Sequence, residues 1–266
     1  MEELKTILKH DRRYWDGWSL LHHRPGLHTL EGFRAGQSSL LPVEREELGD
    51  VSGRSLLQLQ CGFGMDALCW SRLGAHVTGA DFSKKAIEVA TALNAELKMD
   101  ARIVHANSYE LDQKLQGQFD IVAATYGVLY WVPGLEQWMG VAARFLKPGG
   151  TLLIVDEHPV ALMFNDALGT IERPYFFHDD PMAILAMSHD NGGNGAVLED
   201  HGWVHPLGDV VNAAVRHGLA VASLKEYPFM AYQRFEQMEQ GQDGYFRFTD
   251  KSENVPLLFS LKAVKH

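Results

Sequence analysis

Two short stretches of this 266-residue chain carry the residue types from which a ligand site is made. The first is Gln60-Cys61-Gly62-Phe63-Gly64. Glycine lets a backbone approach a ligand closely, and a helix that begins just beyond such a turn offers unpaired N–H groups and positive potential to a carboxylate. The second is Asp81-Phe82-Ser83, with Asp81 lying 17 residues beyond Gly64. An acidic side chain that ends a second strand can accept hydrogen bonds from ribose hydroxyls. The same Asp81 with Ser83 could equally cap the next helix, and a tight turn between strand and helix needs no ligand at all.

On the acceptor side of such a site the reactive residue types are more scattered. His158, in Asp156-Glu157-His158-Pro159, is placed after a fifth strand, and an imidazole with an ordinary pKa near 6.5 suits a general base; the alternative is a structural histidine that caps a loop. Tyr130 and Trp131 follow a fourth strand and could wall a substrate or fill a core. Near the N-terminus, Tyr14, Trp15, Trp18, His22 and His23 form an aromatic and histidine cluster, either a lid over the cofactor with Tyr14 and Trp18 against the substrate, or a packed amphipathic helix. His205, beside Trp203, is a further candidate for the substrate site. His201 and His205 have i, i+4 spacing, but Gly202 and Pro206 disfavour the helix that would bring both onto one metal, so no metal site is assigned.

The elements that would position these residues follow from the hydrophobic pattern. Between 54 and 156 apolar runs alternate with amphipathic ones: strands at Ser55–Gln60, His76–Ala80, Arg102–Ala106, Phe119–Thr125 and Thr151–Val155, and helices at Asp66–Leu73, Lys84–Leu97 and Leu135–Leu146, the last closed by Lys147-Pro148-Gly149-Gly150. Such alternation predicts βαβ units on a parallel sheet, and continuously apolar strands predict a sheet covered on both faces. After Pro159 the rhythm breaks, and residues 160–205 read as an inserted cap. A helix at Leu207–His217 ended by Gly218, a strand at Ala220–Glu226 and a strand at Leu257–Val264 complete the pattern. The segment 228–255 carries Phe229, Tyr232, Phe235, Tyr245, Phe246 and Phe248, too aromatic for an idle solvent loop.

With these motifs in order, LLQLQCGFG, GAHVTGADFSKKAIEVA, FDIVAATYGVL and RFLKPGGTLLIVDEHP, the stretch from about Leu56 to Pro159 resembles the class I S-adenosylmethionine-dependent methyltransferases. The segments HGWVHPLGDVVNAAVRHGLAVASLKEYP and VPLLFSLKA are similar to the tail of one bacterial branch of that family. The resemblance implies a doubly wound, Rossmann-like α/β fold with a seven-stranded sheet whose last strand is antiparallel. It implies S-adenosyl-L-methionine as cofactor, with Gly62 and Gly64 of the Gln60–Gly64 turn bordering its methionine moiety, Asp81 on the ribose, Phe82 and Ser83 beside it, Asn107 and Ser108 at the adenine edge, and Thr125, Tyr126 and Gly127 lining the cofactor and facing the substrate. Two positions depart from the family pattern: Gln58 stands where an acid is usual and Gln60 where the first glycine is usual.

Composition bounds the rest. A formal charge of −10 and the absence of any basic cluster argue against nucleic acid. Two cysteines outside any zinc pattern, Cys61 and Cys69, suit a reducing compartment. Neither an apolar signal region nor a run of ~20 apolar residues is visible. The expectation is a cytoplasmic enzyme, monomer or homodimer, away from membranes, made of an N-terminal lid (1–50), a cofactor-binding core (51–159), a cap (160–205) and a C-terminal helix and strand pair (206–266). Its reaction would be methyl transfer from S-adenosylmethionine to N, O or S of a small molecule. A nucleotide-dependent oxidoreductase and a cofactor-binding regulator or inactive homologue are the alternatives.

Overall fold

The computed structural model describes residues 30–165, 170–187, 197–250 and 255–266. In chain order its strands are β1 (Ser55–Leu59), β2 (His76–Asp81), β3 (Arg102–His105), β4 (Phe119–Thr125), β5 (Leu146–Glu157), β6 (Met182–Met187), β7 (Val197–Gly202), β8 (Leu219–Tyr227), β9 (Met238–Gln240), β10 (Phe246–Phe248) and β11 (Leu258–Lys265). Seven of them form one sheet in the order β3-β2-β1-β4-β5-β11-β8. The pairs from β3 to β5 are parallel, whereas β11 runs antiparallel to both β5 and β8. The expected fold, with its antiparallel final strand, is thus present. Chain order reverses at the β1/β4 pair, so the connections that follow these two strands part and leave a crevice at their carboxyl ends.

The helices are α1 (Leu30–Arg34), α2 (Pro42–Leu48), α3 (Met65–Arg72), α4 (Lys84–Glu96), α5 (Leu135–Arg144), α6 (Pro159–Met163) and α7 (Leu207–Arg216). Strand side chains alternate between faces, and the two faces are covered differently. Leu57, Leu59, Val122 and Ile154 pack with Trp138 and Met139 of α5 and Val210 and Ala213 of α7. Leu56, Ile121, Leu153 and Val155 pack with Val43 of α2, Leu68 and Trp70 of α3 and Leu93 of α4. Burial on both sides is why these strands read as unbroken apolar runs. The described part of the lid segment, 30–50, contributes Phe33, Val43 and Leu48 to this second core. Tyr14, Trp18 and the rest of the N-terminal cluster lie outside the described residues.

The helix expected over 135–146 changes at its end, and two segments gain detail. The helix predicted over 135–146 ends at Arg144, because Phe145 and Leu146 are drawn into the sheet: Phe119 N–H donates to the Phe145 carbonyl at 2.7 Å, and Leu146 pairs with Phe119. Lys147–Gly150 is therefore a bulge inside a longer β5, held by Lys147 Nζ on Asp120 at 2.9 Å, while Lys265 Nζ from β11 donates to the carbonyls of Ala143 at the end of α5 and Leu146 at the start of β5, at 2.8 Å each. The region 160–205 is not without structure of its own, since it holds most of α6 and an antiparallel pair, β6 with β7. The aromatic segment after β8 folds into β9 and β10, and Phe235, Met238 and Phe246 form a small core with Met230, Leu257 and Ala161.

One buried carboxyl locks three separate parts of this fold together. Glu44 of α2 accepts the Leu41 N–H at 2.6 Å and the hydroxyl of Tyr126, which follows β4. The Tyr126 hydroxyl also meets that of Tyr245, just before β10, at 3.3 Å, and Tyr245 accepts the Val43 N–H at 3.0 Å. Burial, with Asp66 nearby as a like charge, raises the pKa of Glu44 from 4.5 to about 8, against the opposing hydrogen bonds from Tyr126 and Leu41. The folded state thus holds a proton that the unfolded chain releases, and the stability this contributes is lost as pH rises between about 4.5 and 8. The unfolding midpoint should fall from pH 5 to pH 8.5, and Glu44→Gln should flatten part of that slope. A residual fall from buried Asp156 should remain, because its pKa is raised from 3.8 to about 7. An unchanged slope in Glu44→Gln would refute the assignment.

Candidate functional site

The turn after β1 is built for close approach. Gln60, Gly62 and Gly64 have φ of 49°, 52° and 75°. At Gly62 an added Cβ would meet nothing within 4 Å, so its surface is open, whereas at Gly64 it would lie 2.8 Å from the Cβ of Ala90 on α4. Gly64 is therefore glycine for helix packing as well as for its conformation. Gln60 occupies the left-handed region without being glycine, which costs about 1 kcal/mol. Its amide is tied at both ends, Oε1 accepting from Trp138 Nε1 at 2.8 Å and Nε2 donating to the Val128 carbonyl at 3.3 Å. Cys61 is half-buried, with Sγ turned toward Gly79 of β2.

Asp81 ends β2 and is buried. One of its oxygens accepts the Gly62 N–H at 2.9 Å and the other the Ser83 N–H at 2.8 Å. Ser83 Oγ in turn accepts the Ala86 N–H at 3.2 Å and caps α4. Asp81 therefore organises the helix start, as the capping reading expects, and each of its oxygens keeps a further lone pair. Burial raises its pKa, opposed by these two hydrogen bonds.

Beside Asp81 opens a cleft lined by Gln60, Phe82, Asn107, Ser108, Tyr109 and Trp131, with Trp138 at its base. Asn107 holds its own loop, its Oδ1 accepting the Tyr109 N–H at 3.0 Å. The aromatic faces and amide edges suit a flat heterocycle. Trp131 lines this cleft, and its ring meets that of Tyr130 edge to face at 5.1 Å, while Tyr130 lines a second cavity on the far side of the pair. Tyr109 and Trp138 were not singled out from the sequence; nothing in their local pattern distinguishes a cleft residue from a core aromatic.

Toward the other end of the crevice, Gln58 Nε2 donates to Thr125 Oγ1 at 3.0 Å, and Thr125 donates to Asp66 Oδ2 at 3.2 Å. Asp66 Oδ1 accepts from Ser39 Oγ at 2.6 Å. Gln58 Oε1 is buried, with no hydrogen-bond partner among the described residues. The usual acid on β1 is thus replaced by an amide, and a carboxylate from α3 stands one hydroxyl away. Tyr126, at φ 58°, points its hydroxyl back to Glu44, as described above, and the Gly127 N–H donates to Asp156 Oδ1 at 2.5 Å.

His158 and His205 are both buried, and burial lowers both pKa values. His158 Nδ1 accepts the Val160 N–H at 3.1 Å and so caps α6, which leaves Nε2 as the protonated nitrogen, 2.8 Å from Glu226 Oε1. Both ring nitrogens are engaged within the fold, and no lone pair remains to take a proton from an acceptor. His205 Nε2 donates to the Val132 carbonyl at 2.7 Å, and its ring stacks on Phe177 at 5.3 Å. His205 lines a second cavity with Tyr130, Trp203, Leu162 and Phe259 over the end of β5. Tyr130 lies flat against Gly202, where any Cβ would come within 1.9 Å of the ring. No helix among the described residues is long and apolar enough to cross a membrane.

Comparison with known proteins agrees with this geometry. Residues 57–154 match the family described as "Methyltransferase domain". A ubiquinone biosynthesis O-methyltransferase from Alkalilimnicola ehrlichii is 32% identical over 119 residues, covering 44% of this chain and 48% of that protein. The protein of the same name from Bordetella pertussis is 30% identical over 156 residues, covering 57% and 60%. The chain thus spans roughly half the length of the curated relatives it matches. Among solved structures, an S-adenosylmethionine-dependent methyltransferase from Mesorhizobium loti superposes with a TM-score of 0.55 at 19% identity, over 83% of this chain and 95% of that one. A glycopeptide N-methyltransferase complexed with S-adenosylmethionine superposes with a TM-score of 0.54 at 15% identity, over 84% and 85%; at such identities the likeness concerns the fold. Motifs, sheet order and family match converge: residues 57–154 form a methyltransferase domain, on the fold seen in S-adenosylmethionine-dependent methyltransferases.

Proposed function

We propose that this protein transfers the methyl group of S-adenosylmethionine to an N, O or S atom of a small molecule. The observation that carries the reading is the arrangement at the β1/β4 crevice, where buried Asp81, the open Gly62 turn and the flat Phe82–Asn107–Trp131 cleft adjoin one another. Asp81 would take the ribose hydroxyls, Phe82, Asn107, Ser108 and Trp131 the adenine, and Gly62 the backbone approach. The buried Gln58 Oε1, with no partner among the described residues, and the Asp66 carboxylate fit the cationic end of the methionine moiety in place of the usual acid. When bound, the sulfonium supplies an already activated methyl group. The protein then has to orient an acceptor and exclude water, an arrangement that can supply ~7–11 kcal/mol. The name of the curated relatives favours oxygen among the three acceptor atoms.

S-adenosylhomocysteine should raise the unfolding temperature, since a ligand at 100 times its dissociation constant stabilises by ~2.7 kcal/mol. Asp81→Ala should weaken that binding by roughly 1–3 kcal/mol, measured by calorimetry. Stabilisation by NAD(H) instead would replace this reading with the oxidoreductase. Tight binding of S-adenosylhomocysteine without turnover of any acceptor would replace it with the regulator.

A positioning role for His158 has its own signature. His158→Ala removes the cap of α6 and should lower stability by about 1 kcal/mol, seen as a lower denaturant midpoint, while S-adenosylhomocysteine affinity stays near wild type. A loss of turnover ~10²-fold or more at unchanged stability would restore it as the base.

A further inference from the structure

An acceptor that must lose a proton calls for an ionisable group with a free lone pair, and the end of β5 with the cavity over it offers four candidates. Two are fully engaged, and a third is a weakened base. Asp156 accepts three backbone N–H groups, from Gly127 at 2.5 Å and from Leu129 and Glu157 at 2.7 Å each. The two nitrogens of His158 hold α6 and Glu226. His205 gives its Nε2–H to Val132 and stacks face-on against Phe177, so only Nδ1 keeps a lone pair, and burial makes it less basic than an ordinary imidazole.

Glu157 differs. It is the last residue of β5, half-buried, and lines this cavity together with Tyr130, Trp203 and His205. Its Oε1 accepts the Tyr232 hydroxyl at 2.5 Å, a bond from the aromatic segment 75 residues away, and no described residue donates to its Oε2. The carboxylate stands over the backbone of Gly127, where a Cβ would lie 3.6 Å from Oε1. It therefore adjoins the end of β4, on the crevice side opposite the Phe82 cleft.

Resting on the methyl-transfer reading, we propose that Glu157 is the acceptor-side carboxylate of this site, that Tyr232 fixes its orientation, and that the acceptor is a small molecule presenting a hydroxyl or amine proton. The acceptor atom gains the methyl group and loses one proton. Glu157 receives that proton and passes it to solvent, while the sulfonium donor leaves as a neutral thioether. Atoms and charge balance without a further reactant.

The test uses the purified full chain with methyl-labelled S-adenosylmethionine and a panel of phenols, alcohols, primary amines and thioethers, the last having no proton to lose. Glu157→Gln keeps the shape and the acceptor atom for Tyr232. It should melt as wild type and bind S-adenosylhomocysteine within twofold, yet lose ~10²-fold or more in kcat on O–H and N–H acceptors, with KM changed much less. Tyr232→Phe should show a smaller loss of kcat. Unchanged kcat in Glu157→Gln, a rise in KM alone, or methylation of thioethers only by the wild type would each overturn the proposal. Failure of the wild type to bind S-adenosylhomocysteine would instead overturn the parent reading, so the two failures are told apart.

Discussion

The parallel pairing of β1 with β2 on one side and β4 on the other is the constraint from which the site follows. Leu56 to Gln58 are in register with Leu57↔Thr78 and Leu57↔Val122 on the two flanks, so the ends of all three strands finish at one edge. Because the chain leaves β1 and β4 in opposite directions, the backbone cannot close that edge. Everything assigned to the cofactor, from the Gln60–Gly64 turn to Asp81 and Thr125, is carried there by this register and not by any property of the loops alone.

Buried acids impose the second layer of order. Asp81, Asp156 and Glu44 each sit where ionisation is costly, and each is made tolerable by N–H or O–H donors aimed at it. The consequence is structural as much as electrostatic. Asp81 couples the turn after β1 to the start of α4, Asp156 couples the loop after β4 to the end of β5, and Glu44 couples α2 to Tyr126 and Tyr245. Loops that would otherwise be free to move are held at the carboxyl edge. A preorganised edge of this kind suits methyl transfer, in which alignment of donor and acceptor contributes most of what the protein must supply.

The elements outside the sheet divide the crevice in two. Trp131 and Phe82 furnish the cleft near β2 and β3, while Tyr130, packed on Gly202 of β7, faces the cavity near β5. The aromatic segment between β8 and β11 reaches over the same cavity through Tyr232. Its small core of Phe235, Met238 and Phe246 explains how a short stretch with two three-residue strands keeps a defined position.

The sequence by itself determined the seven strands of the main sheet, four of the helices packed on it, the glycine turn and the acid after β2, because these depend on hydrophobic period and on local backbone chemistry that neighbours in the chain already specify. It also marked 228–255 as packed, through its aromatic content. Only the tertiary structure decided which groups are free to act. His158, Glu157 and Asp156 are adjacent in sequence, where only the imidazole stands out as a base. Their roles separate because Glu226, Tyr232 and the loop after β4, all distant in the chain, engage them differently. Tyr130 and Trp131, in edge-to-face contact, likewise line two different cavities. A side chain's remaining lone pairs and its direction are set by long-range partners, and the period of a sequence carries no record of those.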